Sequence, residues 1–450
     1  MPHQLESTAR IGIFGHCGNV NLGDEATIAA VIQNVRERHP NWSIFGFTLN
    51  PEGTEKQHGI PSFPIRRRSN THQPAQLYET FLTSPAESDG RGCLVRTLKH
   101  YLKRMPLLYN GLKRVRDGMP GFLSCWQEPA FLIRCYKTLR QMDLLVIAGS
   151  HQLLDYTGGP WAFPYTVFKW VLMAKMARVK VAFLSVGAGP IHTRLGRLFA
   201  RMALSLADYR SFRDSSSFQC VHQLGIDGQN HVSSDLVYSL QLKQASFEWD
   251  SSTSLPVVGV NAVPFADPGS WLGADSEKYE QYITTLAQFA LWLIQRGYAV
   301  LFFPTQLSLD PAVINDIRAS MNKLGSGDFA KQIRNVPIRS FDHLVSAIAM
   351  MDLVVATRLH GIIFPFLLHK PVLSIAYHAK TKDLMEQMGQ SDYVVDIHDF
   401  GLEELRARFL ALEGCVNAVK EELDLRLPRC QRALDEQYER LFELVEAGVA

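Results

Sequence analysis

Arg358 and His360 stand two residues apart in the run Asp352-Leu-Val-Val-Ala-Thr-Arg-Leu-His-Gly-Ile-Ile-Phe. Arginine is always charged and forks onto carboxylate or phosphate, while histidine can move a proton near pH 7. The pairing predicts an anionic substrate and acid–base chemistry within one turn. A helix-start arginine beside a core histidine would leave the same letters, so the surroundings have to decide. Further along, Tyr377-His378-Ala379-Lys380-Thr381-Lys382 follows another short apolar run, Val372–Ala376. If the two runs are neighbouring parallel strands, their exits gather Arg358, His360, His378, Lys380 and Lys382 into one cationic pocket, where open α/β sheets bind ligands.

Polar strand exits recur in the N-terminal half. The loop Gly15-His-Cys-Gly-Asn-Val-Asn-Leu-Gly-Asp24 leads into a helix for which Asp24 is a good N-cap. It matches neither the dinucleotide fingerprint nor a P-loop. Asp24 and Glu25 put negative charge where a phosphate would otherwise dock. Asn19, Asn21 and Asp24 suit sugar hydroxyls, although turn and cap roles explain Asn19 as well. Gly149-Ser-His151-Gln and Gly187-Ala-Gly-Pro190 each follow an apolar run, and Arg213-Asp214 ends a further one.

The elements that must position these groups alternate. Short β-type runs at 11–14, 43–49, 144–148, 181–186 and 209–212 are followed by a second series at 257–261, 299–303, 333–336, 353–356 and 372–376. Helical periodicity lies between them, near 277–296 and 341–350 and throughout 402–447. This is the grammar of parallel, doubly wound sheets. We expect two Rossmann-like domains facing across a cleft: residues 1–245 on the acceptor side, 256–400 on the donor side, and a helical tail over 401–450. The Ser-rich 240–256 reads as the linker. Residues 66–135 lack strand signals and read as a helical insertion in the first domain. Its stretch 91–116 holds eight Lys/Arg and no acid, so peripheral contact with an anionic membrane and a merely solvated hairpin are both open.

At 450 residues and 46% hydrophobic, the chain can bury more than one core. Forty-six basic against 44 acidic residues leave a net charge of +2, which supplies no argument for nucleic acid, and no such partner is expected. Seven scattered cysteines show neither a C-x-x-C pair nor metal-ligand spacing. They read as reduced thiols of a cytoplasmic protein, with the inner face of the membrane as a further location. No signal-peptide layout or 18-residue apolar stretch is evident. Neither metal nor cofactor is expected.

In order along the chain, these pieces resemble the polysaccharide pyruvyl transferase family. The resemblance rests on Gly18-Asn-Val-Asn-Leu-Gly-Asp-Glu-Ala26, Ser185-Val-Gly-Ala-Gly-Pro-Ile191, Phe212-Arg-Asp, Ser234-Asp235, Thr357-Arg-Leu-His-Gly361 and Tyr377-His-Ala-Lys380. It departs at Gly149-Ser-His-Gln, where the family often has a run of glycines, and at the 66–135 insertion. The resemblance implies a GT-B-like fold and transfer of a pyruvyl group from phosphoenolpyruvate to a sugar hydroxyl of a polysaccharide or its precursor, lipid-linked or free. Arg358 would clamp the donor, assisted by Lys380 and Arg213. His360 would act as general acid or base, and Asp24 or His151 would activate the acceptor hydroxyl. Leu359, Asn21 and Tyr377 complete the substrate-binding set. A nucleotide-sugar glycosyltransferase of the same layout, and a non-catalytic member of the fold, are the competing readings.

Overall fold

The computed structural model describes residues 8–18, 20–67, 128–156, 158–242, 255–271, 273–325 and 329–449. The first half builds seven strands: β1 (Arg10–Gly15), β2 (Ser43–Thr48), β3 (Ser62–Pro64), β4 (Leu144–Ala148), β5 (Lys180–Val186), β6 (Tyr209–Phe212) and β7 (His231–Val232). They form one parallel sheet in the order β3-β2-β1-β4-β5-β6-β7. The second half adds β8 (Val257–Asn261), β9 (Ala299–Phe302), β10 (Ile333–Arg334), β11 (Leu353–Ala356), β12 (Val372–Ala376) and β13 (Val394–Asp396). These make a second parallel sheet, β10-β9-β8-β11-β12-β13. Every residue of β4, β8, β11 and β12 is buried, because helices cover both faces of a parallel sheet.

Strand order reverses between β1 and β4 in one sheet and between β8 and β11 in the other. Those two switch points open crevices at the carboxyl ends of the strands, and they face each other. Backbone pairing closes one side: Leu22 N–H donates to Thr305 O, and Leu307 N–H donates to Val20 O, both at 2.9 Å. A loop leaving β1 is thereby stitched to a loop leaving β9.

The tail is two helices rather than one. Leu402–Gly414 buries Leu405, Phe409 and Leu412 against the second domain, with Phe409 edge-on to Phe289 at 5.7 Å. After a break at Cys415, Val416–Val449 returns over the first domain. There Tyr438 and Leu441 are fully buried, Phe442 meets Trp42 edge-on at 5.5 Å, and Gln437 donates to the Ser185 hydroxyl at 3.1 Å. The basic stretch 91–116, Asn19 and most of the linker lie outside the described residues.

Candidate active site

The β11 exit is built around Asn261, whose Oδ1 accepts from Arg358 N–H at 3.1 Å, and whose carbonyl accepts from the Thr357 hydroxyl at 3.3 Å. Arg358 then caps the helix Leu359–Leu367. Its guanidinium is not the free clamp expected from sequence. Nε and Nη2 reach Asp310 Oδ1 at 3.0 and 2.6 Å. Asp310 is fully buried, and its other oxygen accepts from Thr305 and Gln306 N–H at 2.9 Å each. One carboxylate therefore holds the arginine and the loop that stitches the domains together. The Nη1 group makes no hydrogen bond among the described residues, so its donors remain uncommitted. Sequence reading missed Asp310 because Asp-Pro at the start of the helix Asp310–Leu324 looks like an ordinary helix opening.

His360 sits on the first turn of the same helix. Its Nε2 is buried without a hydrogen-bond partner, and the nearest carboxylate oxygen, Asp235 Oδ2, is 3.8 Å away. Burial above all lowers its pKa to about 4; Asp235 opposes that shift, while Arg213, Lys380 and Arg358 reinforce it. The imidazole is thus neutral at pH 7. Its other edge rests on the backbone of Gly23 from the opposite domain: a Cβ there would lie 2.0 Å from Nδ1. Only glycine permits this approach.

At the β12 exit, His378 caps the helix Ala379–Gln387, its Nδ1 accepting from Lys380 N–H at 3.3 Å. Burial, with Lys380 and Arg213 next, lowers its pKa to about 4. The Lys380 ammonium makes no ion pair or hydrogen bond among the described residues. Burial pulls its pKa down against the opposing influence of Tyr377. Tyr377 packs edge-on against Trp271 at 5.8 Å and His378 at 6.4 Å. Lys382 leaves the expected pocket: it is half exposed and bonds Asp396 at 2.6 Å. Leu359 is partly buried and packs against the core.

Across the cleft, Asn21, not Asp24, caps the helix Leu22–Arg38. Its Oδ1 accepts from Gly23 N–H at 3.2 Å, and its Nδ2 donates to Asp24 Oδ2 at 2.9 Å. Asn21 is thus spent on structure, and Asp24 is moved one turn inward. Burial raises the Asp24 pKa to about 6; a hydrogen bond from Ser150 opposes, and Glu25 adds to the rise. Glu25 is itself buried and bonded to His58 Nε2 at 2.8 Å.

His151, at the β4 exit, is held at both nitrogens. Nε2 bonds the Gly189 carbonyl, and Nδ1 meets Arg213 Nη2 at 3.3 Å. Burial, then Lys380 and Arg213, keep its pKa well below the usual value. The ring is thus held between the Gly189 carbonyl and the Arg213 guanidinium. Arg213 is buried, and it bridges Asp214 at 3.4 Å and Asp235 at 3.3 Å. Asp235, missed as a site residue, therefore faces both Arg213 and His360. The His151 and His378 rings, 6.2 Å apart, mark where the two domains meet.

Comparison with known proteins agrees with this arrangement. Residues 21–379 match the family model described as polysaccharide pyruvyl transferase. The amylovoran biosynthesis protein AmsJ of Erwinia amylovora is 22% identical over 289 residues, covering 62% of this chain and 67% of that protein. Among solved structures, UDP-GlcNAc 2-epimerase from Neisseria meningitidis bound to UDP-GlcNAc superposes with a TM-score of 0.54 at 11% identity, covering 97% of this chain and 100% of that one. A putative UDP-N-acetylglucosamine 2-epimerase from Listeria monocytogenes gives 0.54 at 11%, covering 96% and 98%. At such identity these structures speak for the GT-B-like fold alone. With the family model matching residues 21–379, across most of both domains, this chain belongs to the polysaccharide pyruvyl transferase family.

Proposed function

We propose that this transferase moves a pyruvyl group from phosphoenolpyruvate onto a sugar diol of a polysaccharide or its precursor, giving a cyclic ketal and inorganic phosphate. The observation that carries the donor assignment is the cluster of unsatisfied groups on one side of the cleft. Among the described residues Lys380 makes no ion pair, Arg358 spends Nε and Nη2 but not Nη1 on Asp310, and His360 Nε2 is buried without a hydrogen-bond partner. Phosphoenolpyruvate brings a carboxylate and a phosphate on one small framework, and charge-assisted bonds to Lys380 and Arg358 would hold it.

Chemistry then follows from the protonation states. A sugar hydroxyl oxygen forms a bond to C2 of the enol while its proton passes through His360 Nε2 to the methylene carbon, which becomes the methyl group. This leaves a tetrahedral ketal phosphate. The second hydroxyl attacks C2, the C2–O bond to phosphate breaks, and Asp24 takes the hydroxyl proton. Two hydroxyls and one donor thus give one ketal and one phosphate. Asp24, with its pKa near 6, is mostly ionised at neutral pH and suits a base. Positioned acid–base groups of this kind typically contribute about 10²–10⁴-fold. Production of phosphoenolpyruvate in the cytoplasm would set the reaction there.

The test is phosphate release from phosphoenolpyruvate in the presence of candidate diol-bearing glycans, followed by mass analysis of the acceptor. A gain of one pyruvyl ketal, dependent on His360, supports the reading. Transfer of a sugar from a nucleotide donor instead would overturn it.

A further inference from the structure

One face of the first domain carries an apolar stripe that the catalytic cleft does not use. The helices Phe163–Met176 and Arg194–Ser205 pack side by side, joined by Phe199, whose ring meets Trp161 at 5.5 Å, Tyr165 at 5.4 Å and Phe168 at 5.5 Å. Residues 161, 165, 168, 172 and 176 recur at helical spacing and lie on one line. Along it Trp161 is 64% exposed, Leu172 38% and Met176 65%; on the neighbouring helix Leu198 is 50% and Met202 40% exposed. A soluble surface rarely gathers so many large apolar groups without a use.

Charge indicates what covers them. Neither helix contains an acid. Arg194 and Arg201 are exposed on the same face as Leu198 and make no ion pair among the described residues. Arg197 anchors to the carbonyls of Ile191 and His192 at 3.0 and 3.2 Å. Both helices begin at the carboxyl edge of the sheet, where Asp155, two residues past the β4 exit bridge at Leu153, accepts from His192 and Thr193 N–H at 2.8 and 2.7 Å. Their opening residues, Trp161 and Arg194, therefore sit at the cleft's edge.

We propose that this two-helix face docks on an anionic phospholipid bilayer, with Trp161, Leu172, Met176, Leu198 and Met202 in the interfacial layer and Arg194 and Arg201 at the headgroups. Amphipathic surfaces with exposed Trp and Leu beside cations bind membranes in this way. A second copy of the chain fits less well, since a two-fold contact would set these arginines against one another with no acid on either helix to receive them, the flanking Asp208 and Glu128 being paired with Lys175 and Lys169. Docking here would turn the acceptor side of the cleft toward a lipid-linked glycan. That last clause rests on the pyruvyl-transfer reading; the docking itself does not.

The test uses the full chain, without donor or acceptor, sedimented with vesicles of phosphatidylcholine containing phosphatidylglycerol and with vesicles of phosphatidylcholine alone. Binding to the anionic vesicles, weakened by salt, is expected. Arg194→Gln and Arg201→Gln should each lower the partition about fivefold, and Trp161→Ser should lower the part that persists at high salt. These are surface substitutions, and circular dichroism confirms that they fold. Absence of binding, or equal binding by parent and both kinds of variant, overturns the proposal. So does a dimer in the ultracentrifuge that Trp161→Ser disperses.

Discussion

The two switch-point crevices share one strand order yet carry opposite chemistry. At β1/β4 the chain presents the partly buried Asp24 beside Asn21, with the buried Glu25 bonded to His58. At β8/β11 and the adjoining β12 exit it presents Arg358, His360, His378 and Lys380. Topology fixes where a ligand can sit, and the side chains at the exits decide what sits there. On the function proposed above, an anionic donor would sit on the second domain and a neutral polyol beside the Asp24 side of the first. Within the cationic crevice there is a second contrast. Arg358 is bound tightly to a buried aspartate that also holds the interdomain loop, whereas Lys380 makes no ion pair among the described residues. On the proposed function, one cation would serve structure and substrate together, and the other substrate alone.

That contrast can be broken residue by residue. The largest expected effect is on His360: His360→Asn should lower kcat by about 10²–10⁴-fold with little change in melting temperature. A variant turning over at parental rate would remove the imidazole from the mechanism. Next comes the Arg358–Asp310 pair. Arg358→Met leaves a buried aspartate uncompensated and should cost about 3–5 kcal/mol in denaturant unfolding. Adding Asp310→Leu removes the uncompensated charge but leaves Thr305 and Gln306 N–H without their acceptor, so it should return only part of that stability and should not restore donor binding. If the double variant binds phosphoenolpyruvate normally, Arg358 is structural only.

Lys380→Met should weaken the donor about 10–100-fold, by calorimetry, through loss of a charge-assisted contact, while leaving stability level or slightly higher. The smallest effect is the pH response of Asp24. Its folded-state pKa of about 6 stands above the ordinary carboxylate value, so its ionisation is penalised in the fold. That contribution to stability is whole below about pH 4 and is lost as pH rises through 6. Asp24→Asn should therefore match the parent's melting temperature at pH 4 and exceed it by a few degrees at pH 7. The parent's turnover should fall as pH drops below 6, and the variant should lack that limb. Equal melting curves at both pH values would mean the carboxyl group is not held in the cleft as described.

The architecture was legible because central strands of a parallel sheet are apolar throughout. The runs 144–148, 257–261, 353–356 and 372–376 coincide with β4, β8, β11 and β12. Edge strands β3, β7 and β13 escaped, being two or three residues long and not wholly buried. Arg358, His360 and Lys380 were visible as types at strand exits. Their counter-ions were not, since pairing is a fact of space. Nothing local marks Asp310 as the partner of Arg358, or Asp235 as the neighbour of both Arg213 and His360. Likewise, spacing could not reveal that His151 is locked or that Lys382 turns outward to Asp396.

A crystal structure of the protein with phosphoenolpyruvate bound would decide the matter. The donor's carboxylate and phosphate oxygens should lie within hydrogen-bond reach of Lys380 Nζ and Arg358 Nη1, with His360 Nε2 facing its enol carbons. A donor seated against Asp24 and Glu25, or outside the cleft altogether, would contradict the assignment of the two crevices.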